Sequence, residues 1–377
     1  MTPAYLYIHV PFCLRRCSYC DFAVTATREP PIDAWLDAID AELTLLAREE
    51  GWAAPLELRT LYIGGGTPSL LGLGAMERLR ARLERHARWD DAAVEWTAEA
   101  NPETLTPALA ADWRAAGVNR ISLGAQTFHE PTLRWMGRLH GADGPARAVA
   151  ACRESGIDNV SLDLIFGLPA RLGRDWDADL GRAIALEPAH VSLYGLTAES
   201  GTPLGRWVAE GRERMVDEDA YAAEYLLAAE RMGAAGFEHY EVSNFARSGR
   251  QSVHNGAYWT GAAYVGLGPG AHSFLPPERR WNERDWMAYR HALEEGRLPR
   301  VGAERVDADA ARLESLWLGL RASAGVPLDR LGRDQLRLVD RWVAEGWAHT
   351  GDDRLRLTRH GWLLLDRLAV ELDERAA

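Results

Sequence analysis

The chain has no lysine: all 43 of its basic residues are arginine. Without an ε-amino group it forms no lysine Schiff base and no phosphate loop that relies on a lysine. Cysteine is nearly as scarce, at four in 377 residues. Three of the four crowd into one short segment, which leaves only Cys152 elsewhere and excludes a disulfide framework; a reducing compartment, the cytoplasm, is the expected setting. No apolar run approaches the roughly 20 residues that a membrane-spanning helix needs. The first residues lead almost directly into an apolar strand, with no basic n-region, long h-region or A-x-A pattern, so no targeting signal is expected. Passage across a bilayer is thereby excluded, while peripheral membrane contact is left open. Positive charge is also in deficit: the formal net charge of −12 argues against a broad footprint for nucleic-acid phosphates.

What is present is concentrated. In Tyr7-Ile8-His9-Val10-Pro11-Phe12-Cys13-Leu14-Arg15-Arg16-Cys17-Ser18-Tyr19-Cys20-Asp21-Phe22 the cysteines follow a C-x3-C-x2-C pattern. Three thiolates on one loop can each hold a different iron of a [4Fe–4S] cube, because soft sulfur ligands select iron–sulfur clusters over hard cations. Cys13, Cys17 and Cys20 are the expected metal ligands, and the fourth iron is left without one. A zinc site is the alternative; it would need a fourth ligand such as His9, and the paired C-x2-C of zinc modules is absent. Cysteines that only fill a core have no reason to cluster on one loop. The segment resembles the signature of radical SAM enzymes, in which S-adenosylmethionine (SAM) chelates the vacant iron and the cofactor carries the hard chemistry.

An apolar content of 47% over this length suggests one large domain and a smaller one. Apolar stretches at Ala4–Val10, Leu58–Ile63, Val94–Ala98, Arg120–Gly124, Val160–Phe166 and His190–Leu196 alternate with helix-like segments, among them Asp33–Glu50, Ala75–Arg88 and Pro107–Ala116. Thr106 is suited to cap the last of these, with Pro107 at its first position and Gly117 as its stop. Six such units predict parallel strands in a barrel or an open wound sheet. The unusual residues lie at the ends of successive strands, as at the carboxyl-terminal face of a β/α barrel and not at one switch point. The expected fold is α/β, an incomplete (β/α)6 radical SAM barrel over residues 1–236. A connecting segment, 237–302, follows, and then a small C-terminal winged-helix-like domain, 303–377. That last part is read as helices at Ala310–Arg321, Leu328–Leu331 and Gln335–Glu345 and a hairpin turning at Gly351-Asp352-Asp353. With 12 Arg against 14 acidic residues from 301 onward, it is expected to pack or to meet a partner, and not to bind DNA.

Gly64-Gly65-Gly66-Thr67-Pro68 follows the second strand, where glycines let backbone N–H groups approach an anionic or amino-acid moiety. The motif resembles the one with which radical SAM enzymes hold the methionine part of SAM. Glu99 ends the third strand and Gln126 the fourth; Arg138 lies in Gly137-Arg138-Leu139-His140 and Asp163 in the fifth strand. Glu99 and Arg138 are complementary to the ends of a zwitterion, and Asp163 to ribose hydroxyls.

Together YxHxPFCxxxCxYCDF, GGGTPS, EANPE, SLGAQTF, GRLH, DLIFGLP and YEVSNFA resemble the oxygen-independent coproporphyrinogen III oxidases and their relatives over essentially the whole chain. The resemblance implies that Tyr7, Tyr19, Gly65, Gly66, Thr67, Glu99, Gln126, Arg138 and Asp163 contact SAM or the cluster. The oxidases of this family carry a further cysteine where Phe22 stands here, and a longer N-terminal extension than the twelve residues that precede Cys13. The HemW-type haem-chaperone branch has the CDF ending and an HNxxYW motif, here His254-Asn255-Gly256-Ala257-Tyr258-Trp259. An imidazole on iron and flat aromatic walls suit a haem, with Asn255 available to orient the ring; the alternative is that His254 satisfies a buried hydrogen bond. His272, in Gly266-Leu267-Gly268-Pro269-Gly270-Ala271-His272-Ser273, is read as structural, since the glycine spacing matches no dinucleotide fingerprint. Cys152 is read as a small buried hydrophobe. The expected function is a haem chaperone that holds a [4Fe–4S] cluster, SAM and haem and passes haem to an acceptor apo-haemoprotein. The alternative is radical SAM decarboxylation of coproporphyrinogen III.

Overall fold

Aliphatic and polar residues alternate along each of the six expected strands, and that alternation decides what the sheet encloses. In the computed structural model, which describes residues 2–52 and 55–375, the strands are β1 (Tyr5–Val10), β2 (Thr60–Gly65), β3 (Glu95–Ala100), β4 (Arg120–Gln126), β5 (Asn159–Phe166) and β6 (His190–Gly195). On each strand one set of side chains, such as Leu6, Ile8, Leu61, Ile63, Ile121 and Leu123, is fully buried in the main core. The opposite set is largely polar and bonds to itself across strands: Tyr62 to Glu99, Ser122 to Asp163, and Ser161 to His190. The concave side is thus a polar interior, unlike the branched aliphatic layers that fill a closed β/α barrel.

Six further strands complete one open sheet: β7 (Glu238–Glu241), β8 (Asn244–Ala246), β9 (Tyr264–Leu267), β10 (His272–Leu275), β11 (Glu278–Asn282) and β12 (Arg300–Arg305). The order is β7-β8-β6-β5-β4-β3-β2-β1-β9-β10-β11-β12. The strands from β6 across to β1, and then β9, are mutually parallel, and the outer strands on both flanks are antiparallel. The six units are as the alternation predicts; a seventh parallel strand, β9, joins them. It falls in the segment expected only to connect, because four residues interrupted by Gly266 carry little strand pattern. Gly266 is there for space: a Cβ would lie 2.1 Å from the His272 carbonyl oxygen. Segment 237–302 therefore does more than connect, since it supplies strands to both flanks.

The helix over Pro107–Ala116 opens and closes as expected, with Thr106 accepting from Leu109 N at 3.2 Å and Gly117 at φ 113. The one from Ala75 is shorter than expected. It ends at Leu83, and Ala87–Arg88 instead pairs in parallel with Leu56–Glu57. Beyond β12, helices Ala308–Arg321 and Arg333–Ala344 precede a hairpin, Ala348–Gly351 with Arg354–Leu357. Asp352 and Asp353 both have positive φ, the backbone of a type I′ turn. Two unanticipated helices, Arg359–Trp362 and Leu365–Glu374, follow. The module is joined to β7 through Val242 N to Arg321 O and Ser323 N to Tyr240 O. Among the described residues no helix is long and apolar enough to cross a membrane.

Candidate functional site

The cysteine loop leaves the top of β1 and is clamped at its base, where Phe12–Cys13 pairs with Thr25–Ala26. Its far side is tied to two helices, Ser18 N to Met136 O at 3.4 Å and Leu204 N to Ser18 O at 2.9 Å. All three cysteines are free and half-buried. Burial pushes the Cys13 thiol up to about 11, against the hydrogen bond from Thr67 Oγ1 at 3.4 Å. His9 has no nitrogen to spare for a zinc ion: Nδ1 meets Tyr7 Oη at 3.0 Å and Nε2 meets the Ala23 carbonyl at 2.8 Å.

The glycine loop runs directly against this one. Gly66 N donates to Val10 O at 2.7 Å and Thr67 N to Phe12 O at 2.8 Å. A Cβ on Gly66 would lie 2.7 Å from both the Val10 and Phe12 carbonyl oxygens and 3.1 Å from Cys13 Sγ. Gly65, at φ 105, leaves room for the His9 ring and donates its N–H to Glu99 Oε2 at 2.9 Å. Tyr62 donates to the other oxygen of Glu99 at 2.9 Å. Burial, with the nearby Asp163 charge adding, raises the Glu99 carboxyl to about 7.

On the opposite side Arg138 donates to Asn101 Oδ1 at 2.6 Å and to the Gly124 carbonyl at 2.7 Å. Its Nη1 is 4.0 Å from Cys17 Sγ, and its buried Nε has no partner among the described residues. The guanidinium therefore has donors to spare for an anionic group beside the cysteine loop. Tyr19, on the loop itself, packs against a small apolar cluster that includes Met136 and Leu204, and burial raises its hydroxyl pKa. Gln126 ends β4 at a bulge with φ 65, a conformation that a non-glycine residue rarely adopts. Asp163 accepts from Ser122 at 2.9 Å, and burial raises its carboxyl above the usual range.

The histidine of the HNxxYW motif lies inside the fold. His254-Asn255-Gly256-Ala257-Tyr258-Trp259 forms a short helix, Val253–Trp259, capped by Ser252 and held by the Glu95 carboxylate, which accepts from Val253 N and His254 N at 2.9 Å. Helix geometry turns His254 inward, where it is 1% exposed. Nδ1 is 2.6 Å from Thr60 Oγ1, Nε2 is 2.8 Å from Tyr258 Oη, and the ring packs on Tyr62 at 5.0 Å. Both nitrogens are committed, and burial lowers the ring's pKa to about 3.

Tyr258, whose hydroxyl meets His254, is half-buried. With Tyr7, His9, Gly65, Glu99 and Tyr264 it lines a cavity of about 320 Å³, whose remaining wall is Asp21, Phe22, Ala23, Gly270, Ala271, His272 and Arg284. The geometry thus brings Cys13, Gly65, Gly66, Thr67 and Glu99 to one side and Tyr19, Arg138 and Cys17 to the other. It excludes His254 from the open surface. Asn101, Tyr62 and Arg284 were not singled out from the sequence. Asn101 stands in the EANPE motif and was within reach, whereas Arg284 comes from a connection 263 residues after Asp21 and carried no local signal.

Residues 7–183 match the radical SAM superfamily. The chain is 40% identical to heme chaperone HemW of Mycobacterium tuberculosis, over 98% of this chain and 95% of that protein. It is 35% identical to heme chaperone HemW of Escherichia coli, over 98% and 97% respectively, and 32% identical to that of Bacillus subtilis, over 95% and 96%. Its fold is that of the E. coli coproporphyrinogen III oxidase HemN, a radical SAM enzyme, with a TM-score of 0.82 at 19% identity over 99% of this chain and 90% of that one.

Proposed function

The chain belongs to the HemW family within the radical SAM superfamily, and from that premise we propose that it is a haem chaperone. It holds one [4Fe–4S] cluster and SAM, takes up haem as cargo and releases it to an acceptor apo-haemoprotein. The carrying observation is the contact between the two loops: Gly66 has no space for a Cβ against the Val10 and Phe12 carbonyls and Cys13 Sγ, so a bare backbone edge is kept beside the cysteines.

Cys13, Cys17 and Cys20 hold the cluster in this reading, through thiolates that cluster binding stabilises against the burial that raises Cys13 in its absence. When bound, the cluster and SAM supply one-electron reductive chemistry. The chain's own residues bind and orient. Gly65, Gly66 and Thr67 offer the backbone edge, and Glu99, near neutrality in its titration, ionises to meet an ammonium. Arg138 presents its open donors to a carboxylate, Gln126 its amide and Asp163 its carboxylate to hydroxyls, and Tyr7 and Tyr19 wall the space. Haem is then met at the open side of the cavity.

The test is anaerobic reconstitution with iron and sulfide, then haem titration followed at the Soret band, with product analysis after SAM, reductant and coproporphyrinogen III are added. Stoichiometric haem uptake without porphyrin turnover supports the chaperone. Decarboxylated porphyrin without stable haem uptake makes the protein an oxidase.

A further inference from the structure

A neutral imidazole buried between two hydroxyls has one ring proton to place, and its neighbours decide where. His190 is such a ring. It is fully buried at the start of β6, and burial, with the Arg120 charge adding, holds its pKa well below the usual value, so it stays neutral. Its Nε2 is 2.7 Å from Tyr240 Oη and its Nδ1 is 2.8 Å from Ser161 Oγ.

The direction of each bond follows from the first. Ser252 N can only donate, and it donates to Tyr240 Oη at 3.2 Å. The one acceptor that the Tyr240 hydroxyl meets among the described residues is His190 Nε2, so the tyrosine proton goes there. The imidazole proton then sits on Nδ1 and is given to Ser161, whose own hydroxyl donates to Asp163 Oδ1 at 3.3 Å. With the ring proton on Nε2 instead, the Tyr240 O–H would be an orphaned donor, which folded proteins avoid, and Ser161 would turn from Asp163 to His190. We infer that Tyr240, His190 and Ser161 are positioning residues: one directed chain of hydrogen bonds, from Ser252 N to Asp163, holds that carboxylate as an acceptor for the ribose hydroxyls of SAM. The inference rests on the SAM reading above and extends it to residues that stand behind Asp163.

Strand pairing builds most of the chain. Across β6 and β5 His190 pairs with Ser161 and Ser192 with Asp163, and Ser122 of β4 stands opposite Ser161. These side chains share the polar face, while the intervening Leu162 and Val191 fill the core. Tyr240 is delivered by a bulge. The pairing of β7 with β8 slips between His239 and Glu241, and the extra residue is re-aimed so that its ring meets His190 edge-on at 5.6 Å and 62°. Ser252 is fixed by its part in the next element: its hydroxyl accepts from Asn255 N at 3.3 Å to cap the helix Val253–Trp259, which leaves its own N–H for Tyr240.

Asp163 depends on such donors. Burial raises its carboxyl, and hydroxyl groups together with the Arg120 charge oppose that rise. Ser122 donates to both of its oxygens, at 3.0 and 2.9 Å. With Ser161 also supplied from behind, the carboxylate is held as an acceptor whose remaining lone pairs suit hydroxyl donors.

The test uses the anaerobically reconstituted full chain, isotope-labelled at histidine nitrogen, with His190 assigned through a His190→Gln variant. Nuclear magnetic resonance reads the tautomer, and calorimetry reads binding of SAM and of its dideoxy analogue, which lacks both ribose hydroxyls. Wild type is expected to carry the His190 proton on Nδ1. Tyr240→Phe is expected to move that proton toward Nε2 and to weaken SAM roughly threefold to tenfold, with the analogue little affected. Ser161→Ala, which removes the last link, gives the same selective loss. Tyr225→Phe removes another buried hydroxyl, bonded to Val242 O outside the chain, and matches wild type in both readings. A proton on Nε2 in wild type would overturn the inference, as would equal losses for SAM and its analogue, or SAM bound equally well by wild type, Tyr240→Phe and Ser161→Ala; each of these leaves the SAM reading standing. A reconstituted wild type that binds no SAM removes that reading and the inference with it.

Discussion

Replacing Glu42 with glutamine probes the turn that carries His272 and does so through stability alone. Glu42 is 3% exposed, and three donors converge on it. A glutamine oxygen can still accept from Gly268 N and Tyr289 Oη, but its amide then faces the Asn282 amide, donor to donor. One lost buried hydrogen bond of this kind costs about 1–3 kcal/mol. The pH dependence is the sharper signature. Burial raises the Glu42 carboxyl from 4.5 to about 7, in spite of its hydrogen bonds. Between those values the folded chain keeps a proton that the unfolded chain has released, so unfolding releases a proton and stability falls as pH rises. At about 1.4 kcal/mol per pH unit the whole interval amounts to about 3 kcal/mol, of which about 2 kcal/mol falls between pH 5.5 and 7. Above that window both states are ionised and this contribution is flat. Glu42→Gln removes the titration, so the gap in unfolding free energy between wild type and variant changes by about 2 kcal/mol across those pH values. Urea denaturation of both proteins at matched pH measures it, and other acids cancel in the difference. Parallel curves would show that Glu42 is already ionised at pH 5.5 and would refute the account of burial.

Gly65→Ala is expected to cost about 2 kcal/mol, since φ 105 is strained for alanine and its Cβ would lie 2.3 Å from the His9 ring. Iron content after reconstitution and SAM binding by calorimetry should both fall. Trp342→Ala empties a fully buried site in the C-terminal module and should lower unfolding free energy by about 3–5 kcal/mol without changing cluster absorption. Thr106→Ala removes the cap on Leu109 N and should cost about 1 kcal/mol in chemical denaturation, with iron and SAM binding unaffected.

Some of this architecture is legible in the chain because its cause is local. The cysteine spacing is set within eight residues, the Thr106–Gly117 helix carries its own cap and stop, and the period-2 alternation of β1 to β6 separates a helix-facing side from a polar side by geometry alone. Glu99 and Gln126 stand at strand ends, where the chain's unusual polar residues recur, while Asp163 lies within β5. The shortened helix after Ala75 was not, because a two-residue pairing with Leu56–Glu57 ends it, and neither was β9, whose pattern is broken by a glycine needed for the His272 backbone.

Histidine chemistry shows where reading by motif stops. HNGAYW contains the groups that a haem site uses, and GLGPGAH looks like a turn. The first histidine meets Thr60, 194 residues away, and the turn before the second is held by Glu42, 226 residues before Gly268. By itself the sequence determined which thiolates can share a cluster, which strands line up and which interior is polar, since those follow from spacing and alternation along the backbone. Only the tertiary structure decided which partners each imidazole meets. A ring nitrogen is free or committed according to whichever hydroxyl or carbonyl the fold brings within 3 Å of it, and for His254 one such partner, Tyr258, stands four residues away while the other, Thr60, stands 194 away.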